Sequence, residues 1–278
     1  MQDTIQQTRG YQSETASVSV LIGRFWRARF DLLLIPAAML LLLGVWQAIV
    51  WLGRYPTFIL PGPADVAASF GKNLANGTLL RHAGVTLFEI FAGLAVGLSL
   101  ATLLGYALAK NRLLDRLLSP YIVASQSVPV VAIAPLLVIW FGAGQISKVM
   151  ICALIVFFPV LINTIVGLRS VDEGLYDLMR SLKATRWQMF RWLELPAALP
   201  VLLGGLKISV TLSVIGAVVG EFVAAGAGLG FLINQARGLF NTPLVFVTIF
   251  TLVFIALTLY GLVSLLETRL LRWRGERL

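Results

Sequence analysis

The chain has 278 residues, 58% hydrophobic and only 13% charged, with a formal net charge of +9. Soluble domains carry about a quarter charged residues, and the apolar residues here run on for the lengths that a bilayer needs and a buried core does not, which excludes an ordinary soluble domain. The excess of Lys and Arg does not by itself indicate a nucleic-acid partner, and none is expected, because in so apolar a chain the placement of charge matters more than its sum.

Residues 1–30 are polar, with Arg9, Arg24, Arg27 and Arg29, and are expected to form an N-terminal tail. The first apolar run, 32–53, exceeds a signal-peptide core and is closed by no small-residue cleavage pattern, so a retained span over about 33–53 is expected. Residues 54–84 are rich in turn formers (Pro56, Pro61, Gly62, Pro63) and then read as a short amphipathic helix over 64–74. Further spans are expected at about 85–109, 119–141, 149–168, 199–222 and 244–266, each as helix, since the backbone in lipid must satisfy its own hydrogen bonds. Strand-type alternation is absent, which argues against a barrel. The fold class is therefore all-α: a polytopic membrane helix bundle with about six transmembrane helices over 31–268, a long connecting loop at 169–196 and a basic tail at 269–278.

Charge sets the expected orientation. With the N-terminus in the cytoplasm, the inner segments hold the four arginines of the tail, then Lys110, Arg112 and Arg116, then Arg169, Arg180, Lys183, Arg186 and Arg191, then Arg269, Arg272, Arg274 and Arg277. The outer segments hold only Arg54, Lys72, Arg81, Lys148 and Arg237, and Lys207 lies near the inner end of the fifth span. Both termini are thus expected inside, at the cell membrane.

Within the spans, Glu89 is a functional candidate because an intramembrane charge is costly, although an interhelical hydrogen bond near the outer end explains it as well. Ser125, Gln126 and Ser127 precede Pro129, and Asn163 and Thr164 follow Pro159; such places line a solute path or make interhelical contacts. Glu221, followed by the Gly-rich stretch 224–230 with Gly228 and Gly230, suits either an outer gate or a tight loop. Gly93, Gly97, Ala101 and Gly105 make a small-residue face for the bundle interior or for a second copy. His82 and Cys152 read as incidental, and no cluster with metal-ligand spacing exists. A phosphate-binding loop is missing too: the Gly71-Lys72 pair continues with Asn73. Energy is therefore expected from another subunit or an ion gradient, and no cofactor is expected in this chain.

The segment 170–196 reads SVDEGLYDLMRSLKATRWQMFRWLELP. Ser170 with Glu173 and Thr185 with Gln188 have capping-box spacing. Leu175, Leu178, Met179 and Leu182, then Met189, Phe190 and Leu193, follow helical spacing, and Pro196 marks the next break. Two short helices with a bend near 183–185 are expected. Such a basic amphipathic pair can lie on anionic lipid, pack under its own bundle or enter a groove on a partner.

The segment resembles the cytoplasmic loop signature of binding-protein-dependent ABC importer permeases: Glu-Ala-Ala, three residues, Gly, nine residues, a branched apolar residue, one residue, Leu-Pro. Here the positions are Asp177-Leu178-Met179, Lys183, Leu193 and Leu195-Pro196. Spacing is kept, while Asp, Leu-Met and Lys replace Glu, Ala-Ala and Gly. The stretches 184–190, 195–200, Gly220-Glu221-Phe222 and 228–233 are similar to the nitrate, taurine and sulfonate and vitamin-precursor branch. The resemblance implies a type I importer permease (MetI-like) fold. It also implies a loop (Asp177, Ser181, Leu182, Lys183, Ala184, Thr185, Arg186) that docks on a cytoplasmic ATP-binding subunit, two copies of which hold ATP and Mg. A second copy of the permease and an extracytoplasmic solute-binding protein are further implied partners. Stretches 242–246 and 261–263 are more similar to vitamin-type members, so a riboflavin-like or thiamine-precursor solute is expected, with sulfonate, taurine or nitrate as the alternative. An ion-coupled secondary transporter would want inverted repeats with matched carboxylates, and a membrane enzyme a cluster of reactive groups at one depth; neither pattern is evident.

Overall fold

The computed structural model describes residue 34 and residues 36–274. The expected N-terminal tail and Arg277 lie outside these. Helix α1 (Pro36–Gly53) is apolar and almost wholly exposed along its length. The described residues up to Asp65 form one compact unit and those from Val66 onward another. Within the first, the indole N–H of Trp46 donates to the Pro61 carbonyl (3.1 Å) and the Gly62 amide donates to Asp65 (3.0 Å).

In chain order there follow α2 (Pro63–Ala75), α3 (Thr78–Lys110), α4 (Arg112–Gln126), α5 (Val130–Phe141), α6 (Gln145–Arg169), α7 (Glu173–Ser181), α8 (Arg186–Met189), α9 (Leu195–Val223), α10 (Leu229–Gly238) and α11 (Thr242–Leu270). A π-turn (Phe190–Glu194) joins α8 to α9. Among the described residues, five helical stretches are long and apolar enough to cross a membrane, six if the bent α4–α5 pair counts as one span. No strand occurs among the described residues.

The stretch 119–141, expected as one span, is two helices bent by 97° at 127–129. Pro129 supplies no N–H, and its ring pushes the residue before it away from helical geometry. Pro129 itself is extended, with ψ 120°. At Pro196 the structure differs in the opposite sense. The expected break is absent, and helix runs from Arg186 to Val223. The π-turn ends at Glu194, two residues before this proline, and the Leu195 amide reaches back five residues to Phe190. The wider turn makes room where the ring would collide with the preceding turn.

The second unit is built on α3, α6 and α9. Gly93, Gly97 and Gly105 set α3 directly against α6: a Cβ added at Gly97 would lie 2.7 Å from the Ala153 carbonyl oxygen. At Gly105 it would lie 2.8 Å from Thr164 Cβ. The small-residue face thus serves the interior of this chain. On the far side of α6, Gly205 of α9 meets Asn163 and Gly216 meets Cys152. Such close backbone approach is how helices gain van der Waals contact where lipid offers no hydrophobic drive. Helix α10 caps the end of this trio, and α11 packs on α9 and α10.

Candidate functional site

At the end of α9, the chain turns back through Gly228 (φ 116°) into α10. Three side chains from two helices, His82, Thr86 and Glu221, hold this hairpin. His82 and Thr86 lie one turn apart on α3, and Glu89 follows, all three buried. His82 Nδ1 accepts from the Gly228 amide (3.0 Å), and its ring stacks on Phe231. Thr86 Oγ1 accepts from the Leu229 amide (2.8 Å) and donates to Glu221 Oε1 (2.6 Å). The other Glu221 oxygen accepts from the Gly230 amide. Three amides at the start of α10, which have no intrahelical acceptor, are thereby satisfied, with a carboxylate at the positive end of the helix. A Cβ at Gly228 would collide with Glu221 Oε1, so the carboxylate fits only over glycine.

Glu89 is fully buried beside Glu221, and Lys148 of α6 is its ion-pair partner at 3.4 Å. Neither Glu89 oxygen receives a hydrogen bond. Three helices thus bring two carboxylates and one ammonium together in this buried site, the ammonium paired with Glu89. His82 is no incidental residue here, and Lys148, counted in the sequence as an outer-segment charge, belongs to the interior.

The opposite end of the trio carries the loop that the sequence singles out. Asp172, not Ser170, caps α7, accepting from the Gly174 amide (2.6 Å). Ser170 instead donates its hydroxyl to the Gly167 carbonyl, because α6 continues to Arg169 and a cap must stand clear of it. Thr185 and Gln188 form the expected capping box. Between the caps, the Lys183 amide donates to Arg180 and the Ala184 amide to Met179, closing α7 with Lys183 at φ 55°. That is the left-handed position where helices commonly end on glycine. Leu178, Leu182 and Trp187 are 54%, 69% and 68% exposed, and α7 and α8 bury no residue at all. Asp177 pairs with Arg180 (3.0 Å), while Ser181, Thr185 and Arg186 are exposed.

Beneath the loop, buried Glu194 accepts from Lys110 (2.6 Å) and Tyr106 (3.3 Å), and Lys110 also reaches Tyr176 of α7 (3.1 Å). Arg169 pairs with Asp115 (2.8 Å). These contacts tie the loop to the ends of α3, α4 and α6. The sequence offers no local sign of Glu194, since its partners lie 84 and 88 residues away.

The five residues considered for a solute path fall in three places. Ser125, Gln126 and Ser127 lie exposed at the α4–α5 bend. Asn163 packs against Gly205 and donates to the Pro159 carbonyl (2.8 Å). Glu89 is enclosed with Lys148 and Glu221. Among the described residues no group of three or more His, Cys, Asp or Glu could hold a metal ion.

Residues 93–272 match the family described as "Binding-protein-dependent transport system inner membrane component". The "Riboflavin transport system permease protein RibX" of Chloroflexus aurantiacus is 48% identical over 276 residues, 99% of this chain and 100% of that one. The "Formylaminopyrimidine transport permease protein ThiX" of Halalkalibacterium halodurans is 36% identical, over 86% of this chain and 94% of its own. The "Taurine transport system permease protein TauC" of Escherichia coli is 30% identical, over 90% and 93%. In fold, the chain is similar to the inward-facing MetNI methionine ABC transporter, with a TM-score of 0.55 at 22% identity, covering 67% of this chain and 91% of that one. The small-residue seam of α3, the loop at Lys183 and the Glu221 hairpin all lie inside the matched residues, and the chain belongs to the family of inner-membrane permease components of binding-protein-dependent ABC importers.

Proposed function

We propose that this chain forms, with a second copy of itself, the passage of an ATP-driven importer for a flat heterocyclic vitamin, riboflavin first. The 48% identity with a riboflavin permease over the whole of both chains supports this solute over the sulfonate and taurine alternatives. A cytoplasmic ATP-binding subunit, two copies per transporter, supplies ATP and Mg, and an extracytoplasmic binding protein delivers the solute. This chain holds neither a cofactor nor an ATP site of its own and acts as a permease, not an enzyme.

The observation that carries the coupling role is the exposed apolar elbow. Leu178, Leu182 and Trp187 stand out from α7 and α8 beside a capped, rigid bend. An apolar face of that kind suits a groove on a partner. Asp177, Ser181, Leu182, Lys183, Ala184, Thr185 and Arg186 are its contact residues. Force on the elbow passes through Glu194–Lys110 and Tyr176–Lys110 into α3 and α9. The same two helices hold His82, Thr86 and Glu221 at their other ends. The Glu221 hairpin, with Gly228 and Gly230, is accordingly the outer gate, clamped or released as α3 and α9 shift. Of the residues first considered for the path, Ser125, Gln126, Ser127 and Asn163 stay with it, and Glu89 serves the gate.

The test is uptake by proteoliposomes holding the chain with its ATP-binding subunit and binding protein. ATP-dependent entry of riboflavin is expected. Entry of taurine or nitrate instead overturns the solute, and entry that persists without ATP on an ion gradient overturns the importer mechanism.

A further inference from the structure

Helix α9 has two unlike faces. Gly205, Ser209, Val210 and Ser213 are buried. On the other face, Gly204, Lys207, Ile208, Thr211 and Leu212 line, with Tyr260 of α11, a groove of about 410 Å³. Lys207 pairs there with Glu267 of α11, the two side chains 20% and 22% exposed, and its ammonium lies 5.7 Å from the Tyr260 ring centre. Tyr260 itself is 46% exposed, and Thr211 is exposed with its hydroxyl donating to the Lys207 carbonyl (3.1 Å).

Lys207 is twelve residues into α9, about 18 Å along it, inside a helix apolar enough to span a membrane. Ionisable groups in such helices face a bundle interior or a water-filled cavity. This groove is not in the interior of the chain, since Ile208 is 55% exposed and its Lys207 face turns away from α6. Lipid is a costly setting for an ammonium and a carboxylate at this depth, which favours a water-filled passage along this face. A half-open tyrosine ring on a mostly apolar wall, with an ion-paired ammonium and a hydroxyl beside it, suits a flat aromatic solute, and the volume lies in the range of small-molecule sites.

We propose that the α9–α11 groove at Lys207, Thr211 and Tyr260 lines the water-filled passage and takes the flat ring of the travelling solute. This rests on the importer reading but is separable from it. Glu267 is a positioning residue, which holds the Lys207 ammonium over the Tyr260 ring.

The test uses the whole transporter in proteoliposomes. Thr211→Cys and, for comparison, Leu103→Cys, 70% exposed on an apolar stretch of α3, are treated with a charged methanethiosulfonate. Native Cys152 is fully buried. At least tenfold faster reaction at Thr211→Cys is expected, slowed severalfold by riboflavin. An equal or slower reaction places the groove against lipid or protein and overturns the proposal, whether or not the wild type carries riboflavin. If the wild type carries riboflavin and riboflavin leaves the labelling rate unchanged, the solute contact is overturned. If the wild type carries none, the solute assignment fails while the labelling ratio still decides the groove. The exchange Lys207→Glu with Glu267→Lys keeps an ion pair; uptake at least tenfold below wild type is expected at equal membrane content. Full recovery of uptake by the exchanged pair makes it purely structural and overturns the role of Lys207.

Discussion

Lys148 carries more of the hairpin end than its place in the sequence suggests. It is the cation of a buried site that also holds Glu89 and, beside it, Glu221. Removing one partner of a buried ion pair costs about 3–5 kcal/mol, because the other charge stays desolvated and unmatched. Lys148→Ala is therefore expected to lower thermal stability in detergent by that order, with Lys148→Arg retaining most of it. If Lys148→Ala melts with the wild type, the pair is not a source of stability. Lys183 poses the reverse case. A non-glycine residue in left-handed geometry costs about 1–2 kcal/mol, partly offset by the lower unfolded-state freedom of a longer side chain. Lys183→Gly is expected to steady the elbow by about 0.5–1 kcal/mol, read as slower hydrogen exchange at the 183–185 amides. Faster exchange there would mean that the lysine side chain itself holds the bend. The family pattern has Gly at this position, so its spacing marks the backbone geometry even where the residue identity departs.

Single elements show what the sequence could and could not disclose. The long apolar runs show directly where α3, α6, α9 and α11 lie, because bilayer length and helix rise fix them locally. The small residues at 93, 97 and 105 mark α3 as a packing face, but not its partner: spacing gives a face and only the tertiary structure names α6. Pro129 and Pro196 look alike in sequence, yet one breaks a helix and the other does not, because a π-turn precedes only the second. His82 reads as incidental and Lys148 as an outer charge for the same reason that Glu194 carries no local sign, since pairing across 59 to 146 residues leaves no local pattern. The seam itself is testable by two alanines on one helix. Gly97→Ala pushes a methyl to 2.7 Å from a backbone oxygen, whereas at Gly84 nothing lies within 4 Å. Overpacking costs about 1–3 kcal/mol. A lower melting temperature is expected for Gly97→Ala and none for Gly84→Ala; equal melting would mean that α3 and α6 are less tightly apposed than these distances require.

For the molecule as a whole, orientation is the property on which coupling and gating both depend. The two ends of the α3–α6–α9 trio differ in charge and in construction. One carries Lys110, Arg112, Arg116, Arg169, Arg180, Lys183, Arg186 and Arg191 around an exposed elbow, and the other carries a hairpin held by buried polar groups. Cationic loops are retained on the cytoplasmic side, so the expected orientation has the elbow inside and the hairpin that follows Glu221 outside. Because Cys152 is enclosed by α3 and α9, single cysteines can report on the two ends without a competing thiol. Ser181→Cys is expected to react with a membrane-impermeant maleimide only after cells are opened, and Gly226→Cys, with nothing within 4 Å of its added Cβ, in intact spheroplasts. The reverse pattern would set the elbow on the side where no ATP-driven subunit can reach it. A mechanism in which force enters at Lys183 and leaves at Glu221 would then have to be abandoned, even with every contact in the bundle unchanged.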